Sequence, residues 1–276
     1  MSIASLATVP ATPCTATPRT ATRRAAPSFR GRIGQDARSG HYAVPHRYRL
    51  HLSTGCADGL RLAVGHSLLG LDAVCPVVFL PALPDRPDGG HSALRPLYEA
   101  SAHHWTGPAL APVLSDDWAG RIVSNHAPDI LRDLDRFPRE GRLSLYPCGT
   151  ESRIDAVERL CSEGVLQAAR CAARPGADPA ERAAALDVLL DTLGRLERHL
   201  EGEEYVVDGR LTAADVELWV ALVRLYTVHR HHLDASAARR VAGHPVLWAH
   251  VRRLTDLPAF GGHLGPDGVD RPAAGI

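Results

Sequence analysis

Lysine is absent from this sequence of 276 residues, and all 31 basic positions are arginine. In a chain so rich in Ala, Gly and Pro, that absence reads as a compositional bias of the genome and carries no functional weight. An excess of either charge is lacking too. The 31 acidic residues bring the formal net charge to zero, so nothing points to nucleic acid or to an anionic membrane surface. The six cysteines (Cys14, Cys56, Cys75, Cys148, Cys161 and Cys171) include no CxxC pair and no tight spacing. That argues against a disulfide framework and fits a reducing compartment, so a cytoplasmic location is expected. No apolar run reaches the roughly 18 residues that a membrane span needs, and no internal repeat is present.

Acidic residues are also missing from the first 30 positions, an Ala/Thr/Pro/Arg-rich stretch. Arg23-Arg24 invites a twin-arginine reading, but no apolar segment follows, which excludes a secretory signal. A transit peptide shares this composition. The simpler reading is a segment too poor in apolar residues to fold, and residues 1–27 are expected to form a disordered tail.

What is present can bury a sizeable core, with 45% hydrophobic residues, enough for one large domain or two small ones. From about Tyr48 to Leu134 short β-type runs alternate with helical patterns. YRLHLS alternates, LRLAVGHSLLGL has apolar residues at helical spacing, and DAVCPVVFLPAL is a continuous run of the kind a buried strand shows. After a Pro/Gly/Asp loop (Pro84 to Gly90) come a strand APVLSD, a turn DWAG, a strand RIVS and a helix PDILRDLDRF. From about Glu151 the pattern is helical. PAERAAALDVLLDTLGRLERHLEG carries Leu186, Leu189, Leu190, Leu193, Leu196 and Leu200 on one stripe and stops at Gly202. LTAADVELWVALVRLYTVHRHHL opens with Thr212-x-x-Asp215, a capping-box start, and reads as a helix. HPVLWAHVRRLTDLPAF is a further helix, closed by Pro258.

The first strand runs into Ser53-Thr54-Gly55 and then Cys56, directly before a helix. A cysteine at that junction is either a reactive thiol or a small buried hydrophobe. A helix N-terminus carries about half a positive charge, and thiol pKa values at such places fall to roughly 3.5–7.5. The position therefore suits a nucleophile.

The order of these elements, a small α/β domain and then an all-helical one, is that of glutathione transferases. Several stretches resemble the glutathionyl-hydroquinone reductases, or xi-class glutathione transferases. SFRGRIGQD (Ser28 to Asp36) echoes, one residue shorter, the pattern S-x-F-R-x-x-I-x-x-D. RYRLHLSTGCADGLR is similar to R-Y-H-L-Y-V-S-x-x-C-P-W-A-H-R. LYEASAHHWTGPALAPVLSD resembles the stretch leading to the family's cis-proline. VDGRLTAADVELWVALVRLYTVHRHHL resembles G-D-x-L-T-E-A-D-x-x-L-x-x-x-L-V-R-F-D-x-V-Y-x-x-H-F, and HPVLWAHVRRLTDLPAF resembles the closing Y-P-N-L-W-x-Y-x-R-x-L-Y-x-x-P-G. The resemblance covers roughly Ser28 to Phe260. It implies an α/β thioredoxin-like N-terminal domain with its extension over residues 28–140, an all-α glutathione-transferase C-terminal domain over 150–260, and a flexible tail over 261–276.

The resemblance also implies chemistry. Cys56 matches the family cysteine, whose thiolate takes the thiol from a glutathionyl-hydroquinone as a mixed disulfide that a second glutathione releases. Arg61 matches the family arginine and would add positive potential. Pro112 matches the proline held in cis, where the backbone of Ala111 meets a ligand's peptide groups; an ordinary strand-start proline is the alternative. Asn125 and His126 fall in the thiol-binding stretch, with Tyr226, His229 and His232 at the second-substrate pocket. A homodimer is implied as well.

Four stretches depart from the family. Ala57-Asp58-Gly59-Leu60 replaces Pro-Trp-Ala-His, which puts a carboxylate two residues from the thiol, where a like charge raises a thiol's pKa. His126-Ala127 replaces the Glu-Ser pair that binds the γ-glutamyl end of glutathione; His126 then either binds an anion or caps the helix. Leu166 and His229 stand at family tyrosine positions. His229 and His232 lie three apart on one helical face and could line the pocket, and with His231 they could also be a surface run. No Cys or acidic partner has metal-ligand spacing, so no metal is expected.

The expected activity is a thiol-dependent reductase or transferase. Its co-substrate would be glutathione or another low-molecular-weight thiol such as mycothiol, acting on a quinonoid or other aromatic substrate. A repurposed binding protein on the same fold, or a specialised transferase or isomerase in which Cys56 is incidental, are the alternatives.

Overall fold

A computed structural model describes residues 28–34, 40–137 and 143–264. Arg23-Arg24, Cys14, the tail expected over 1–27 and most of that expected over 261–276 lie outside the described residues. The chain divides into two compact units, one ending at Leu145 and the other beginning at Tyr146.

The first unit is built on a four-stranded sheet in the order β2-β1-β3-β4. Strand β1 (Tyr48–Leu52) alternates, with Tyr48, Leu50 and Leu52 fully buried, as a period-2 pattern demands. It pairs in parallel with β2 (Val77–Phe79), and antiparallel with β3 (Val113–Asp116) in the register His51 to Val113. Strand β4 (Arg121–Ser124) pairs antiparallel with β3, Leu114 facing Ser124. The ends of β1 and β4 and the start of β3 thus lie at one edge of the sheet. Helix α1 (Ala57–Leu68) packs against α3 (Ala127–Leu134), and α2 (Arg95–Ser101) lies by β4.

Two expectations change here. DAVCPVVFLPAL does not make a buried strand. Only Val77–Phe79 pair, at the sheet's edge, and Phe79 is 56% exposed. Pro76 and Pro81 bracket the run and supply no N–H to a ladder. The connection before β3 holds α2, whose seven residues are too few for a clear period.

The second unit is helical. Its first helix runs from Glu151 to Ala172, but the middle eight residues, Leu160–Gln167, are π-helical between α4 (Glu151–Arg159) and α5 (Ala168–Ala172). A Cβ on Gly164 would lie 2.5 Å from Thr192 Oγ1, so glycine lets α6 (Pro179–Leu200) cross that segment closely. Thr212 and Asp215 form the capping box of α7 (Ala213–Arg224) with both reciprocal bonds present. The stretch LTAADVELWVALVRLYTVHRHHL is not one α-helix: it turns π-helical over Leu225–His229 and 3-10 over Arg230–His232. Helices α8 (Ala235–Ala242), α9 (Pro245–Thr255) and α10 (Pro258–Gly261) complete the unit. Trp219 is fully buried, edge-on to Phe260, and its Nε1–H donates to Thr255.

Candidate functional site

Cys56 is the N-cap of α1, with extended backbone (φ −118°, ψ 157°). The half-buried Sγ accepts from the Gly59 N–H at 3.3 Å and lies 3.4 Å from the Ser53 carbonyl oxygen. The first contact favours the thiolate and the second the protonated thiol. Two glycines fix the geometry. A Cβ on Gly59 would sit 1.9 Å from Ser53 O, and one on Gly55 2.0 Å from Ala82 O. The first turn of α1 therefore presses on the end of β1 more closely than the alanine of the family pattern would permit.

Asp58 and Arg61 compensate each other. Arg61 Nη1 lies 2.5 Å from Asp58 Oδ1, with side-chain exposures of 6% and 54%. The carboxylate two residues after the cysteine is thus paired within its own helix.

The Ala111–Pro112 peptide is cis, and Pro112 directly precedes β3 at the same sheet edge as Cys56. Tyr98 ties this segment to the end of β4. Its hydroxyl donates to Leu110 O at 2.8 Å and accepts from Asn125 Nδ2 at 3.4 Å. Burial pushes the Tyr98 phenol above its ordinary range.

Asn125 clamps the segment before β1. Its Oδ1 accepts from the Phe29 N–H at 3.0 Å, and its own N–H donates to Phe29 O at 3.1 Å. His126 is the N-cap of α3, Nδ1 accepting from the Asp129 N–H at 3.4 Å. Behind it two carboxylates hold the 28–34 segment down. Asp129 Oδ2 accepts from Arg30 Nε at 2.6 Å, and Asp133, fully buried, accepts from Ile33 N at 2.8 Å and from Arg32 and Arg136. The arginines keep the Asp129 carboxyl below its ordinary range against the opposing effect of burial.

The register gathers Cys56, Ala111, Pro112, Asn125 and His126 at one sheet edge, with Arg61 in the helix that starts there. Tyr226, His229 and His232 belong to the helical unit. Tyr226 lies edge-on to Trp248 and under the Arg230 guanidinium. His229 is half-buried, and His232 is exposed at the end of the 3-10 turn. Burial, with Arg170, Arg224 and His232 nearby, pushes His229 down to about 4. Among the described residues no group of three or more His, Cys, Asp or Glu is arranged to hold a metal ion, and no helix is long and apolar enough to cross a membrane.

Sequence reasoning passed over Tyr98, Arg30, Asp129 and Asp133. A signal existed: Arg30-x-Arg32 has strand spacing and Asp129-x-x-x-Asp133 helix spacing, so each pair presents both charges on one face.

Residues 179–253 match the family described as glutathione S-transferase, C-terminal domain. The glutathionyl-hydroquinone reductase PcpF of Sphingobium chlorophenolicum is 31% identical over 247 residues, 82% of this chain and 76% of that protein. The glutathionyl-hydroquinone reductase YqjG of Escherichia coli K12 is 26% identical, over 86% of this chain and 79% of its own. The crystal structure of the glutathione-S-transferase Xi of Phanerochaete chrysosporium superposes with a TM-score of 0.72 at 26% identity, covering 87% of this chain and 83% of that one.

Proposed function

The chain belongs to the glutathionyl-hydroquinone reductases of the glutathione-transferase superfamily, and from that premise we propose a thiol-dependent reductase that works through Cys56. In this reading Cys56 Sγ attacks the sulfur of a thiol adduct on a quinone- or hydroquinone-like aromatic. The S–S bond forms as the aromatic C–S bond breaks, and the ring carbon takes the electron pair and then a proton. A second thiolate attacks the mixed disulfide, leaves as the thiol disulfide, and restores the Cys56 thiolate. One adduct and one thiol give one reduced aromatic and one disulfide.

The observation that carries this is the half-exposed N-cap sulfur of Cys56, which accepts the Gly59 N–H. That contact and the α1 dipole stabilise negative charge on sulfur when it attacks and when it leaves. Ala111 and Pro112 would receive the peptide groups of the thiol. Asn125 and His126 would bound its far end, and Tyr226, His229 and His232 would bound the aromatic. Glutathione is the thiol the family supports; the His126-Ala127 replacement supports a thiol without a γ-glutamyl group, of which mycothiol is one. We also propose that two copies associate, as the family resemblance implies; light scattering tests it.

The test compares wild type with Cys56→Ser on thiol adducts of hydroquinones. Loss of turnover in the variant, with a mixed disulfide at Cys56 in wild type by mass spectrometry, is expected. Equal turnover by both overturns the thiolate mechanism.

A further inference from the structure

The sheet edge that carries Cys56 is electrically lopsided. In the order β2-β1-β3-β4, β4 stands two strand spacings from β1, about 10 Å. The exposed polar groups on the β4 flank are a guanidinium and an imidazole, with no exposed carboxylate beside them among the described residues. Arg30, bridged to Ser124, has 53% of its side chain exposed and His126 38%, whereas the Asp129 beneath them keeps only 10%. Asp129 is committed to the arginines: Oδ2 lies 2.6 Å from Arg30 Nε, and Oδ1 lies 3.4 Å from Arg32. The carboxylates exposed near this edge, Asp58, Asp85 and Asp88, belong to α1 and the loop after β2. Each is engaged locally, with Arg61, Ser92 and Arg86 respectively.

Two donors remain on the β4 flank. Arg30 gives its Nε to Asp129 and keeps its terminal guanidinium nitrogens. His126 accepts through Nδ1 from the Asp129 N–H, which places the proton of the neutral ring on Nε2. Both donate to a carboxylate, neither offers an acceptor to an ammonium group, and the Arg30 charge repels one.

We propose that the β4 flank, through Arg30 and His126, binds a carboxylate carried about 10 Å from the sulfur of the co-substrate, and that the preferred thiol is an acidic, peptide-sized one with no ammonium group at that end. The proposal rests on the reading that Cys56 exchanges with a small thiol. It adds the chemical class of that thiol, which is shared neither by glutathione, with an ammonium there beside its carboxylate, nor by mycothiol, which has no carboxylate.

The test offers the full-length protein two disulfides: that of glutathione, and that of its desamino analogue, in which glutaryl replaces the γ-glutamyl group. In each, the Cys56 thiolate attacks one sulfur, the mixed disulfide forms, and the other thiolate leaves; intact-mass spectrometry follows the rate. The desamino compound should add about 10-fold faster at low salt. Arg30→Gln should cut that advantage to about 2-fold, Arg30→Lys should keep most of it, and His126→Glu should reverse it. Equal rates in wild type, faster glutathione, or a ratio that the variants leave unmoved each overturn the proposal while the thiol-exchange reading stands. If neither disulfide adds to a Cys56 that iodoacetamide still labels, both fail.

Discussion

Arg61 closes on Asp58 three residues before it in α1, so the carboxylate nearest Cys56 in sequence carries its counter-ion. Removing one of them exposes the other. Asp58→Asn should raise the rate of Cys56 alkylation at pH 6 by about three-fold, the effect of one unit charge near a partly solvated group. Cys75 is the internal control: it is fully buried, its thiol is pushed up to about 12 by that burial, and it should stay unlabelled until the protein unfolds. Peptide mapping after iodoacetamide measures both. An unchanged Cys56 rate would show that the ion pair does not reach the sulfur.

Gly59 has no room for a methyl group, because its Cβ would lie 1.9 Å from a backbone oxygen that cannot rotate away. Gly59→Ala should cost about 1–3 kcal/mol in urea unfolding, the usual range for overpacking. It should also slow thiol exchange, since α1 must shift away from the end of β1. Wild-type stability would mean that the helix start is looser than described.

His229 is held neutral, with its pKa pushed down to about 4. An unfolded histidine titrates near 6.5, so between those values the unfolded chain binds the extra proton. The neutral ring's contribution is complete above about pH 7 and is lost as pH falls towards 4. The stability difference between His229→Gln and wild type should therefore move in the variant's favour on going from pH 7 to pH 4.5. Parallel curves would place the ring in solvent.

Asp133 is fully buried and binds Ile33 N, Arg32 and Arg136. Asp133→Asn keeps the shape and removes the charge that these donors face. A loss of about 2–4 kcal/mol is expected, with trypsin cutting at Arg30 and Arg32 well before global unfolding. Simultaneous loss of all protection would mean that the segment has no separate anchorage.

The two-domain order was legible because it depends on local signals: alternation in YRLHLS, the leucine stripe of α6, and the Thr212/Asp215 box. Cys56 was legible because a strand, a turn and a helix start follow one another in sequence. The reciprocal bonds of Asn125 with Phe29 were not, since they join residues 96 apart. The π-helical turns at Leu160–Gln167 and Leu225–His229 were hidden too. One extra residue in a turn leaves apolar spacing almost unchanged over a short window. DAVCPVVFLPAL misled because composition marks a strand but not its place in a sheet, and an edge needs only three residues.

The clamp of Phe29 on Asn125 also bears on how this protein can be shortened. Trimming to the first residue of the sheet, Tyr48, would spare every strand and helix of the unit. It would also leave Asn125 facing water and Asp133 buried with two of its donors gone. The latest safe start for a working fragment is therefore Ser28, twenty residues ahead of the first strand.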